Sequence, residues 1–157
     1  MVQKTYRKKR GGVKTRKQNV STTSRSSLFA KFQKEVTSKF FEILLMIKLF
    51  HWKTYSYSTH KATDELYGKL NEHMDHFMEV LLGKTQIRMN FMNQKTIPLI
   101  DLDSNEKLIE KVDFFKSYLV NLNTNKAMNI MSNNDLLNIR DEILGDLNQF
   151  LYLLSLK

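Results

Sequence analysis

Four side chains on one predicted helix could together bind a transition metal. Placed at 100° per residue, Asp64, Asp75 and Glu79 lie about 40°, 60° and 100° round from His60, so imidazole and carboxylates share one stripe. The rise divides the stripe. Asp64 and Asp75 are separated by about 16 Å along the axis, too far for one metal ion to touch both. The result is two half-sites, His60/Asp64 and Asp75/Glu79, each a pair at i, i+4 spacing. A complete site needs one half from each of two chains packed antiparallel about a two-fold axis. His51, just before the intervening turn, can join the first half. Mixed imidazole and carboxylate donors suit iron, manganese or zinc better than calcium or copper(I). A bare stripe of this kind is more often a solvated helix face, so other features must tip the balance.

The elements that would carry these residues follow from apolar periodicity. Phe29, Phe32, Val36, Phe40, Ile43, Leu44 and Ile47 predict a helix from Leu28 to about Trp52. A polar turn from Lys53 to Thr59 precedes a second helix, His60 to Leu82, closed by Gly83 at its C-terminal cap. Lys84–Ser104 is irregular, contains the single proline, Pro98, and has room for one short helix. A third helix is predicted over Asn105–Leu122. A fourth runs from Asp135 to the end, after a polar loop over Asn121–Asn134. Two helix pairs joined by a long crossover make an all-α four-helix bundle.

The 157 residues suffice for one domain with a core. There is no cysteine, which excludes disulfides, thiolate metal sites and cysteine nucleophiles. The net charge of +9 is segregated. Lys4, Arg7, Lys8, Lys9, Arg10, Lys14, Arg16, Lys17 and Arg25 all fall in residues 1–26, which contain no acid, while the remainder is neutral. Composition thus predicts a disordered basic arm, 1–26, before a bundle domain, 27–157. Its cations suit non-specific phosphate neutralisation, with DNA the expected partner. RNA, an anionic membrane surface and a nuclear-import signal are the alternatives. No apolar run reaches membrane-spanning length and no secretory signal pattern is present, so an intracellular location is expected, cytoplasmic or nucleoid-associated.

Phe50-His51-Trp52, His60-x-x-x-Asp64-Glu65-Leu66-Tyr67 and Met74-Asp75-x-x-x-Glu79-x-Leu81-Leu82-Gly83 resemble the signature of the Dps family, ferritin-like mini-cages that bind DNA. The run from Asp135-Leu136-Leu137 to Phe150-Leu151-Tyr152-Leu153-Leu154 is similar to that family's last helix. The interval from His51 to His60 is shorter than is usual there, and Met78 and Val80 stand where the family carries alanine and arginine. The resemblance implies a ferritin-like fold and a dodecamer built from two-fold dimers. It also implies a ferroxidase centre of His51, His60 and Asp64 with the partner subunit's Asp75 and the partner subunit's Glu79. Iron(II) would be oxidised there by hydrogen peroxide or oxygen, protecting DNA against oxidative stress. The competing expectation is a non-catalytic DNA-compacting or genome-packaging protein on the same scaffold, which could be virion-associated. A third is a plain helical bundle with no cage.

Overall fold

A computed structural model describes residues 15–94 and 96–156, with side chains from Ser24 onward. The described residues form helices and connecting segments, without strands. The elements are α1 (Thr15–Lys53), α2 (Tyr57–Thr85), α3 (Asn105–Asn121), a 3₁₀ turn (Leu122–Thr124), α4 (Lys126–Asn129) and α5 (Asn134–Ser155).

Contacts between particular residues establish the topology. Gln33 meets Thr85 and His51 meets His60, so α1 and α2 are antiparallel. Lys84 pairs with Asp135, His73 with Glu142 and Lys69 with Gln149, which sets α5 antiparallel to α2. The crossover from Gln86 to Ser104 lies along α1 in the same direction. Gln33 donates to the Ile87 carbonyl, Gln94 to Ser38, and Lys53 to Asp101. It therefore returns the chain to the C-terminal end of α1, where α3 starts.

One core runs through the four long helices. Val36, Ile47, Leu70, Phe77, Leu81, Leu108, Leu119, Leu136, Ile143 and Leu147 are essentially inaccessible to water. Phe40 stands edge-on to Phe77 at 5.4 Å and to Phe115 at 6.3 Å between centroids. Burial of this apolar stripe is what makes helices of such length stable.

Several boundaries differ from the periodicity. Helix α1 begins at Thr15, inside the segment assigned by composition to an arm, while Phe29 is its first core residue. Adding a residue to an existing helix costs far less than nucleating one, so a polar stretch can continue a helix begun by core packing. Residues 1–14, with Lys4, Arg7, Lys8, Lys9, Arg10 and Lys14, lie outside the described residues. Gly83 does not close α2: the helix continues to Thr85 and ends at Gln86, whose φ of 54° is left-handed and whose N–H donates to the Leu82 carbonyl. The short helix expected in the crossover is absent from its described residues. It occurs instead as α4, in the Asn121–Asn134 segment expected to be a plain polar loop. Asn125 caps α4 by accepting from the N–H groups of Ala127 and Met128, and both residues are buried. Two buried side chains within a polar-looking stretch are too few to produce a period.

Candidate metal centre

His51 lies in the last turn of α1 and His60 in the first turns of α2. Only Thr54, Tyr55 and Ser56 separate the helices. Ser56 caps α2 by accepting from the Thr59 N–H, and the Thr54 N–H returns to the Phe50 carbonyl. This tight reversal lays the two imidazoles face to face, centroids 3.9 Å apart and planes 23° from parallel. The short interval between the histidines brings them together.

Their hydrogen bonds are reciprocal. His51 Nδ1 lies 3.0 Å from the His60 carbonyl, and His60 Nδ1 lies 3.0 Å from the His51 carbonyl. A carbonyl only accepts, so each Nδ1 carries the proton and each neutral ring keeps its lone pair on Nε2. Thr63, fully buried, has its one hydroxyl proton within reach of the Thr59 and His60 carbonyls, at 2.8 and 3.0 Å, and its oxygen faces His51 Nδ1 at 3.3 Å. Orientation through Nδ1 with Nε2 left as the ligand is how metal-binding histidines are held.

Asp64 follows one turn after His60. Its carboxylate, half exposed, lies 3.7 Å from His51 Nε2 and 3.9 Å from Lys48 Nζ. Lys48 also stands over the rings of Tyr67, at 4.6 Å, and Trp52, at 5.9 Å. Thus His51 stacks on His60 and approaches Asp64 at one end of the bundle, but the three side chains do not converge on one point. Asp75 and Glu79 are exposed further along α2, and no cation pairs with either among the described residues. Within one protomer the described residues form no cluster of three His, Asp or Glu side chains able to hold a metal ion. Of the arm's cations, only Arg25 has a described side chain, which donates to the Ile130 carbonyl and lies over the Phe29 ring.

A second charged cluster has no counterpart in the helix wheel of α2. His73 places Nδ1 3.2 Å from Glu142 and Nε2 3.2 Å from Asp146, both on α5. Lys69 contacts Asp146 at 3.7 Å, Glu65 at 3.0 Å and Gln149 at 2.8 Å. Hydrogen bonding to Glu65 chiefly holds the Lys69 ammonium above the usual lysine range. Because the two carboxylates flank opposite ring nitrogens of His73, they cannot converge with it on one ion. The pairing depends on the register of α2 against α5, which helical spacing alone does not reveal. The buried Arg140 was likewise hidden. It donates to the Leu119 carbonyl and the Asn123 side chain, closing the C-terminal end of α3.

Residues 51–154 match a family of unknown function (DUF5856). The chain belongs to that family. The matched segment includes all five candidate ligands, from His51 to Glu79, and most of the bundle, while the basic segment precedes it. No curated protein and no solved structure matches the chain significantly. No helix among the described residues is long and apolar enough to cross a membrane.

Proposed function

We propose that this protein is a Dps-like, ferritin-type iron oxidase and iron store, assembled from two-fold dimers, that also holds DNA through its basic N-terminal segment. The observation that carries the reading is the pairing of the Nδ1 atoms of His51 and His60 with backbone carbonyls, with Asp64 3.7 Å from His51 Nε2. The order of two antiparallel helix pairs joined by a long crossover also agrees with a ferritin-like bundle. Iron(II) is the substrate. The two imidazoles and Asp64 bind it from one protomer, and Asp75 of the partner subunit and Glu79 of the partner subunit bind it from the other. Each carboxylate offsets positive charge as iron(III) forms. Two iron(II) ions reduce one hydrogen peroxide, which takes up two protons and leaves as two waters. A cage of twelve 18.6 kDa chains has a mass of about 223 kDa.

One observation favours a second reading, a DNA-compacting scaffold without catalysis. Lys48 already places a cation 3.9 Å from Asp64 and can serve as its permanent counter-ion.

Iron(II) oxidation by the full chain, with peroxide and with oxygen, separates the two beside a His60→Ala/Asp75→Ala variant. Rapid oxidation that the variant loses supports the centre. Equal slow rates overturn it and leave the scaffold. Light scattering near 223 kDa supports the cage, and a monomer overturns it. Deleting residues 1–14 removes six of the nine arm cations while leaving α1 entire, and should abolish duplex retention at low salt.

A further inference from the structure

Helix α1 buries two polar side chains on the strip that faces the start of the crossover. Gln33 and Thr37, one turn apart, are 1% and 4% exposed. Gln33 donates from Nε2 to the Thr85 hydroxyl at 2.7 Å and to the Ile87 carbonyl at 3.1 Å. Its Oε1 is fully covered and has no partner among the described residues. Thr37 is served little better. Its one hydroxyl proton faces two thioethers, Met89 Sδ at 3.0 Å and Met78 Sδ at 3.8 Å. A thioether is a weak acceptor. Buried polar groups are nearly always well partnered, so two poorly served ones a single turn apart require a reason.

These groups meet where three segments join: α1, the last turns of α2 with Met78 and Thr85, and the crossover with Ile87 and Met89. Two sulfurs flank one hydroxyl oxygen, and an amide oxygen lies one turn along the same helix face. None of these donors is charged. Thioethers select copper(I) and similarly soft ions over the hard and borderline divalent ones. A neutral set also favours a single positive charge, because a second would be buried without compensation. Methionine is unbranched, with three rotatable bonds, so both sulfurs can turn onto an ion without moving the backbone. Met89 is 37% exposed, which gives an ion its way in.

We propose that Met78 and Met89, supported by the Thr37 hydroxyl and the Gln33 amide oxygen, form a site for a soft monovalent cation, copper(I) or its analogue silver(I). Bound there, the ion ties the crossover to both α1 and α2. The site is separate from the candidate iron centre. Thr37 precedes His51 by fourteen positions on α1, which is about 21 Å along the helix axis. It uses none of the five imidazole and carboxylate candidates and does not depend on the iron-oxidising reading.

Silver(I) is the probe, because it is stable in air and the chain has no cysteine to capture it. The full chain, isotope-labelled at its methionine methyl groups, is titrated with silver nitrate in chloride-free buffer and followed by calorimetry and NMR. One tight equivalent should bind, shift two methyl resonances and raise the thermal midpoint. Met78→Leu and Met89→Leu conserve volume, and each should remove one of the shifted resonances. The double variant should lose the tight equivalent. Met89 is partly exposed, so its replacement alone leaves the core intact and keeps the test valid if the double variant folds poorly. His60→Ala should retain the tight equivalent. The proposal is overturned if the parent chain binds no silver tightly, or if Met89→Leu binds it as tightly as the parent. Loss in His60→Ala with retention in the methionine variants also overturns it, by assigning the ion to the imidazoles.

Discussion

Two histidine-and-carboxylate groups on α2 contrast in what their side chains face. At the start of the helix, His60 and its neighbour His51 spend their Nδ1–H groups on each other's backbone carbonyls, leaving two lone pairs and a half-exposed Asp64. Midway along, His73 lies between Glu142 and Asp146, and Lys69 adds a cation beside Asp146. The same residue types therefore serve opposite ends. Where Lys69 and His73 face carboxylates across two helices, the group links α2 to α5 and acts as a clamp. Where neutral carbonyls hold the rings, the acceptor edge stays available for a cation. A search by residue type alone would rank the two clusters equally.

The contrast can be broken most strongly at the clamp. Asp146 is the least exposed carboxylate of that group and faces both Lys69 and His73. Asp146→Ala should lower stability the most of these variants, because it removes the carboxylate that both Lys69 and His73 face. In a chain of this size a fall of a few degrees in thermal midpoint is expected, about 2–4 °C per kcal/mol lost, read by circular dichroism. Asp64→Ala should shift the midpoint far less. Equal losses would erase the distinction between clamp and open site.

The next effect lies at the open site. Thr63→Val keeps the side-chain volume and removes the oxygen that faces His51 Nδ1 at 3.3 Å. Iron(II) oxidation should slow about tenfold with little change in stability, as is typical when a residue orienting a ligand is lost. An unchanged rate would mean that the carbonyls alone orient the ring.

A third, smaller effect extends the comparison to an exposed ion pair between the same two helices. Lys84 reaches Asp135 at 2.7 Å, linking the end of α2 to the start of α5. The hydrogen bond from Lys84 chiefly holds the Asp135 carboxyl below its ordinary range. A lowered folded-state value stabilises the fold above the unfolded aspartate pKa, about 3.9. That contribution is lost as pH falls through the lower folded value. Lys84→Met should therefore cost under about 1 kcal/mol at pH 7, and the difference from the parent chain should vanish in acid below the folded value. A difference that persists there would assign the loss to the bond from Lys84 to the Ser132 carbonyl, or to packing of the lysine stem, instead.

Much of this architecture was legible in the order of residues. The apolar stripes of the four long helices and the long crossover follow from local periodicity, which each segment expresses by itself. The i, i+4 spacing of His60 with Asp64, and of Asp75 with Glu79, is equally local. So is the concentration of nine uncompensated cations before residue 27. Helix ends were less legible. Gly83 carries the usual signature of a stop, yet α2 passes through it and ends on Gln86. Thr85 beyond the glycine is tied to Gln33 of α1, and such a tertiary bond can outweigh a local stop preference.

Tertiary structure alone decided the remainder. The tautomers of His51 and His60 are set by carbonyls brought opposite them when α1 folds back on α2. His73 meets Glu142 and Asp146 only because α5 packs against α2 in one register. An open groove lined by Ser56 and Ser58 on one side and by Leu153 and Leu154 on the other joins residues about a hundred positions apart in the chain. Periodicity specifies which face of a helix turns inward, since that depends on neighbours three and four residues away. Which groups meet across two faces depends on their register, and that is settled by the packing of the whole core.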